Sequence, residues 1–127
     1  MGLGLRDLEI GCVYAKGNAA KELYLYLGKT RGRNSRYYSD IKEGNTFLYI
    51  GREWEFNPKS VCYEKLTKET IIDRAKSMLS WELGEDFSII KGNKNLSHKF
   101  TDIKLTDAEI NMLCFYGNLT RINKTKG

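Results

Sequence analysis

Glu22-Leu23-Tyr24-Leu25-Tyr26-Leu27-Gly28 decides how the first half of the chain is read. In an extended backbone Leu23, Leu25 and Leu27 fall on one side and Tyr24 and Tyr26 on the other, the period of two that a pleated strand imposes. The expected arrangement has leucines inward and tyrosines half outward. Upstream, Leu8 to Ala15 is a strand candidate, separated by the turn-rich Lys16-Gly17-Asn18. Downstream, a polar stretch from Lys29 to Ser35 leads through Arg36-Tyr37-Tyr38-Ser39-Asp40-Ile41 to a turn at Lys42-Glu43-Gly44-Asn45 and a strand, Thr46-Phe47-Leu48-Tyr49-Ile50-Gly51.

The segments at 25–28 and 48–51 echo one another, Leu-Tyr-Leu-Gly against Leu-Tyr-Ile-Gly. Two short strands each stopped by glycine predict a tightly coiled, barrel-like antiparallel sheet, because glycine permits the sharp corner. Val61-Cys62-Tyr63 reads as one more strand after Pro58.

Two helices are expected in the second half. Thr67 can cap a helix over about 68–83, with Leu66 and Ile71 at the ends of a hydrophobic staple. Ile71, Ala75, Met78 and Leu79 form its apolar stripe and Gly84 its stop. The pattern recurs in Leu105-Thr106-Asp107-Ala108-Glu109-Ile110, where Glu109 closes a capping box with Thr106, predicting a helix over 107–116 that ends at Gly117. Between them, Phe87 to Ile90 and Phe100 to Ile103 alternate like strands around the polar loop 91–99. The fold class is therefore α+β, a small antiparallel sheet packed with two helices. At 127 residues the chain fits one domain, sheet-rich over 5–64 and helix-containing over 65–119, with a frayed basic tail over 120–127.

Composition narrows the function classes. A hydrophobic share of 41% fills a core, and no apolar run approaches the roughly 18 residues a membrane helix requires. The opening stretch lacks a basic segment followed by a long apolar one, and Arg6 stands where a myristoylation motif needs Ser or Thr, so a cytoplasmic protein is expected. Cys12, Cys62 and Cys114 are widely spaced among apolar residues and read as buried thiols rather than a disulfide or zinc framework. With His98 the only histidine and no Cys-x-x-Cys pair, neither a metal nor another cofactor is expected. His98 has no nucleophile signature around it, no phosphate-binding glycine loop is present, and the catalytic set is empty. Glu53 and Glu55 flank Trp54 and, if extended, project to one side, which reads as a solvated strand face with Trp54 and Phe56 packed beneath.

Charge supplies the remaining signal. Lys and Arg exceed Asp and Glu by 21 to 16, a net charge of +5 that favours anionic partners. It concentrates in Lys29-Thr30-Arg31-Gly32-Arg33-Asn34-Ser35-Arg36-Tyr37-Tyr38, which holds no acid. Arginines clamp phosphates and tyrosine rings stack on bases, so Lys29, Arg31, Arg33, Arg36, Tyr37 and Tyr38 are the candidate nucleic-acid or partner-binding residues, against the plainer reading of a solubilising loop. Lys91, Lys94, His98 and Lys99 form a second basic loop that would reinforce the first if both fell on one side.

The frame Leu8-Glu9-Ile10-Gly11-Cys12-Val13-Tyr14, Leu25-Tyr26-Leu27-Gly28 and Phe47-Leu48-Tyr49-Ile50 resembles the small SH3-like or KOW-like barrel modules of uncharacterised accessory proteins of tailed phages, over less than half of the chain. The resemblance implies a non-enzymatic module that engages nucleic acid or host machinery, and carries over no functional residue. The expectation is a small accessory protein of phage type, acting in the host cytoplasm. It binds nucleic acid, or a host protein that handles nucleic acid, to modulate transcription, RNA or defence. Two alternatives stand beside it. One is a histidine-independent endoribonuclease of toxin type using Arg31, Arg33, Arg36 and Tyr37 to stabilise a charged phosphorane-like transition state. The other is an inhibitor that binds a host enzyme through exposed tyrosines such as Tyr24, Tyr26 and Tyr49.

Replacing Arg31, Arg33 and Arg36 together by alanine is expected to leave the thermal midpoint nearly unchanged, since surface substitutions shift stability by about ±0.5 kcal/mol each. If these side chains contact phosphates, the slope of log K against log salt for a nucleic acid should flatten by roughly two to three units, measured by fluorescence anisotropy titration.

Overall fold

A computed structural model describes residues 4–17, 21–33, 41–82, 89–90 and 96–122. Among the described residues, six strands form one antiparallel sheet: β1 (Cys12–Lys16), β2 (Glu22–Arg33), β3 (Ile41–Arg52), β4 (Ile89–Ile90), β5 (Leu96–Lys104) and β6 (Leu119–Arg121). The path runs β4-β3-β2-β1-β5, and β6 also pairs with β2. Two helices, α1 (Lys68–Glu82) and α2 (Asp107–Tyr116), cover one face, so the α+β class holds. None of the described helices is long and apolar enough to cross a membrane.

The barrel-like closure expected of the N-terminal sheet does not occur. Closing a sheet requires its two edge strands to meet and pair. Here β4 and β5 stand at opposite ends of the path, and the sheet widens around β2. One edge of β2 is held along its length by β3, while the other is shared, β1 taking Glu22 to Leu25 and β6 taking Thr30 to Gly32. Because β5 and β6 come from the second half of the chain, the sheet-rich and helix-containing portions share this one sheet.

The glycines expected to stop the strands instead reshape them. Tyr26 faces Phe47 and Gly28 faces Thr46, so Leu27 is an extra residue on β2, a β-bulge in which Gly28 adopts φ of 84°. The strand runs on to Arg33 with its faces exchanged. Before the bulge Leu23, Leu25 and Leu27 are buried toward the helices; after it Thr30 and Gly32 are buried, while Lys29 and Arg31 are exposed on the reverse side. The turn expected at Lys42 to Asn45 lies inside β3, where Gly44 pairs with Thr30 and Asn45 with Lys29.

The helices match expectation closely. In α2, Thr106 Oγ1 accepts from the Glu109 amide at 3.2 Å, the Glu109 carboxylate accepts from the Thr106 amide at 2.8 Å, and Gly117 is the C-cap. Thr67 Oγ1 likewise accepts from the Thr70 amide at 3.1 Å ahead of α1. The two helices run parallel: Lys68 meets Glu109 near their starts, and Leu79 packs on Gly117 near their ends. Their inward residues Ile71, Ala75, Leu79, Ile110, Leu113 and Cys114 meet the leucines of β2 in the main core. The C′ residue expected for α1, Gly84, lies outside the described residues.

Other expectations need correction. The first strand starts at Cys12 rather than Leu8, because Gly11, at φ of 95°, turns the chain after a short 3-10 segment at Leu5–Asp7. Val61 and Cys62 sit in a turn rather than a strand and are exposed, so Cys62 is not the buried thiol expected, whereas Cys12 and Cys114 are buried. Residues 100–103 lie inside the longer β5, and Phe87 and Ser88 fall outside the described residues ahead of β4. Thr120 and Arg121, expected in a frayed tail, belong to β6. Tyr24 and Tyr26 are also not half outward: only 8% and 7% of their surface is exposed. With Cys12, Tyr14, Phe47 and Leu96 they build a second, aromatic cluster on the reverse face.

Two glycines separate in their tolerance. A Cβ on Gly28 would lie 2.6 Å from the Ile10 side-chain end, which is partly exposed and can swing away, so Gly28→Ala should cost mainly the left-handed backbone, about 1–2 kcal/mol. A Cβ on Gly11 would lie 2.6 Å from the Leu105 carbonyl oxygen, whose own amide is bonded to Gly11, so Gly11→Ala should cost about 2–4 kcal/mol. Urea denaturation midpoints should therefore rank wild type above Gly28→Ala above Gly11→Ala.

Candidate nucleic-acid interface

The face exchange at Gly28 places the candidate cations. Lys29, Arg31 and Arg33 occupy alternate positions on the far half of β2, spaced about 7 Å apart by the strand rise. Lys29 is exposed opposite Asn45, and its carbonyl accepts from the Ile122 amide at 2.9 Å, which ties the end of the described chain to this strand. Arg31 aims both Nε and Nη2 at Glu43 Oε1, at 3.2 and 3.1 Å, across the hairpin. With about half of the Arg31 and Glu43 side-chain surface exposed, this ion pair contributes about 0–1 kcal/mol. Arg33 ends the strand opposite Ile41. Arg36, Tyr37 and Tyr38 lie in 34–40, outside the described residues.

Of the second basic stretch, the described Lys99 shares the reverse face of the sheet with Lys29 but stands apart from it. Lys91 and Lys94 lie outside the described residues, while His98 and Lys99 belong to strand β5, paired with Ala15 and Tyr14. Tyr14 in turn faces Tyr24, five residues before Lys29 on β2. That separates Lys99 from Lys29 by about 17 Å along the strands and about 10 Å across them. Lys99 and Lys104 instead flank the Glu9 carboxylate, at 4.0 and 3.5 Å.

The tyrosines of the reverse face are internally engaged. Tyr24 stacks obliquely on Tyr49 with centroids 5.7 Å apart, and Tyr26 stacks on Phe47 at 5.0 Å. Their hydroxyls donate to Glu22 Oε1 and Asn45 Oδ1, both at 2.8 Å, and the Tyr14 hydroxyl accepts from the Glu9 amide at 2.7 Å. Burial, joined for Tyr24 by the Glu22 carboxylate, pushes the Tyr24 and Tyr26 hydroxyls above the ordinary tyrosine value. Burial also raises the Cys12 and Cys114 thiols, which makes both poor nucleophiles.

Glu53 and Glu55 do not form an extended pair, because 53–56 closes into a 3-10 turn. Trp54 is 48% exposed rather than packed beneath, and Phe56 is buried under the Arg74 guanidinium, 4.7 Å from its ring centre. Arg74 was not visible as a site from the sequence, since its partners lie 10 to 24 residues away. It donates to Glu55 Oε1, to Glu64 Oε1 at 2.7 Å and to the Ile50 carbonyl at 2.9 Å. A groove of about 350 Å³ between β3 and α1, lined by Tyr49, Ile50, Gly51, Arg74, Ser77 and Met78, thus has its one cation committed to structural partners. Among the described residues, no group of three His, Cys, Asp or Glu side chains could hold a metal ion.

Exposed apolar residues were also missed. Met112, Phe115 and Tyr116 lie on the solvent side of α2, where Phe115 keeps 84% of its surface exposed. A helical projection of 107–116 carries this signal, because its apolar residues encircle the helix rather than forming one stripe. The chain matches no protein-family model, no curated protein and no solved structure.

Burial works to raise the Glu55 carboxyl, but the Arg74 hydrogen bond, the Arg52 amide at 3.1 Å and the charges of both arginines together hold it below its ordinary 4.5. A depressed folded value means that the stabilisation is complete above about pH 4.5 and is lost as pH falls through the folded value. Thermal midpoints recorded from pH 7 to pH 3 should therefore fall more steeply for wild type than for Glu55→Gln. Arg74→Met, which takes a donor from the largely enclosed Glu55 carboxylate and from the Ile50 carbonyl, should cost about 1–3 kcal/mol in urea denaturation at pH 7.

Proposed function

We propose that this protein binds nucleic acid through the far half of the β2–β3 hairpin. The observation that carries the proposal is the bulge at Leu27–Gly28, which turns Lys29 and Arg31 out of the core onto an exposed strand face that leads to Arg33. Without it, the alternation of Leu23, Leu25 and Leu27 would direct Lys29 and Arg31 into the leucine core, where a lone charge is prohibitively costly. The segment 34–40 continues the run with Arg36, Tyr37 and Tyr38, which pair charge with rings that can stack on unpaired bases. Such a surface contacts phosphates and favours single strands over a duplex groove. In the host-directed role that the phage-module resemblance implies, its targets would lie in transcription, RNA or defence.

The alternatives are less well served. An inhibitor using Tyr24, Tyr26 and Tyr49 would need those rings exposed; Tyr24 and Tyr26 are buried with their hydroxyls satisfied, and Tyr49 is half-buried against Tyr24. A ribonuclease using Arg31 would need its guanidinium at a cleft, and it lies across an exposed strand pair against Glu43.

Glu43 supplies the test. It sits on the proposed surface, repels phosphate and holds Arg31, so Glu43→Gln should strengthen binding to a labelled single-stranded oligonucleotide by about three- to tenfold at low salt, while Lys29→Glu weakens it comparably. Anisotropy titrations with single-stranded RNA and DNA read both. No binding of either at low salt, or identical affinities for wild type and both variants, would refute the proposal.

A further inference from the structure

Where β5 hands the chain to α2, the segment ahead of β1 and the end of β6 meet around a cavity of about 600 Å³. The Leu105 amide donates to the Gly11 carbonyl at 2.9 Å, which ties two of its walls together. Leu8 and the partly exposed Ile10 give it an apolar side. Its charged residues fall into two groups. Lys104 lies 3.5 Å and Lys99 4.0 Å from the same oxygen of Glu9, and Arg121 lies 3.5 Å from Asp107. Three cations thus answer two carboxylates. Arg121 is the unusual member, since only 22% of its side-chain surface is exposed against 87% for Asp107. Its bonds to Asp107 Oδ1 at 3.5 Å and Asn111 Oδ1 at 2.9 Å both leave from Nη1. Nε and Nη2, the edge of a guanidinium that grips an oxyanion through two parallel bonds, hold no partner among the described residues. A largely enclosed cation with unmatched donors is costly unless water or an anion answers them.

We propose that this cavity binds a small organic oxyanion, its phosphate or carboxylate gripped by Nε and Nη2 of Arg121 and its apolar body laid against Leu8 and Ile10. An apolar wall joined by a few convergent polar groups is the make-up of a small-molecule site, and the volume is ample for one. The two acids do not oppose an anion. Glu9 is outnumbered by Lys99 and Lys104, and Asp107 projects toward solvent. A cation is the poorer occupant, because both carboxylates already have cationic partners. Arg121 stands opposite Thr30, whose side chain turns inward, and it reaches Asn111 of α2, so it leaves the sheet on the helix side, away from Lys29. The site is therefore separate from the proposed nucleic-acid surface and does not depend on it.

Isothermal titration of the full chain at low salt with phenyl phosphate, benzoate and inorganic phosphate provides the test. Phenyl phosphate or benzoate should bind with a Kd of about 0.1–1 mM and at least about fivefold more tightly than inorganic phosphate, and the order of the two organic probes identifies the preferred head group. Arg121→Lys keeps the charge but loses the fork, and should weaken the better probe about tenfold. Because Arg121 also ties β6 to α2, a second variant separates binding from folding: Ile10→Asp, in the partly exposed apolar wall, should keep the thermal midpoint and lose binding. Failure of all three probes to bind the wild type at about 10 mM would overturn the proposal. So would inorganic phosphate binding as tightly as both organic probes, or an affinity that neither variant changes.

Discussion

The extra residue at Leu27 in β2 organises both faces of this sheet. A regular strand with the composition of Glu22 to Arg33 has no acceptable orientation, because odd positions carry leucines in its first half and cations in its second. The bulge resolves the conflict by exchanging the faces at Gly28, whose lack of a Cβ admits the positive φ. Everything beyond it follows. Thr30 turns inward and meets Thr46 in a buried hydroxyl pair at 2.6 Å, and Gly32 makes room for the Leu119 side chain, which lets β6 dock along β2.

The reverse face follows from the same constraint. The even positions Tyr24 and Tyr26 precede the exchange and pack into the aromatic cluster with Phe47 and Tyr14. Each hydroxyl finds a partner within reach of its own strand neighbours, so the rings are buried without leaving a polar tip unpaired. The sheet is thereby apolar on both faces near its centre, and on β2 the exposed cations Lys29 and Arg31 stand only where the alternation has been reversed.

What the sequence disclosed depended on how local the determining interaction was. The start of α2 at Asp107 and its end at Tyr116 were legible because the Thr106–Glu109 box and Gly117 lie within one turn of those boundaries. The length of β2 was not, because Gly28 reads as a terminator until Thr46 is known to stand opposite it. Lys42 to Asn45 carries turn-forming residues, yet its conformation is set by pairing with Lys29 to Gly32, a contact across the hairpin. The open sheet was equally hidden, since it depends on β5 and β6 arriving from the second half of the chain. Of the candidate site, the cations were visible as a charge run. Their common strand, the restraint of Arg31 by Glu43 and the separation from Lys99 required the register.

The pairing of β1 with β5 bears on how the chain is assembled. Tyr14 meets Lys99 and Cys12 meets Lys104, so β1 has one hydrogen-bonding edge whose partner follows it by 80 residues or more. The pairings of β2 with β3 and of β1 with β2 join segments close in sequence, contacts of low order. Until β5 is in place, β1 has no partner on its second edge, and until α1 and α2 dock, the leucine face of β2 has no cover. A chain lacking β5 would leave that β1 edge unpaired, the kind of exposed strand edge that promotes association between chains.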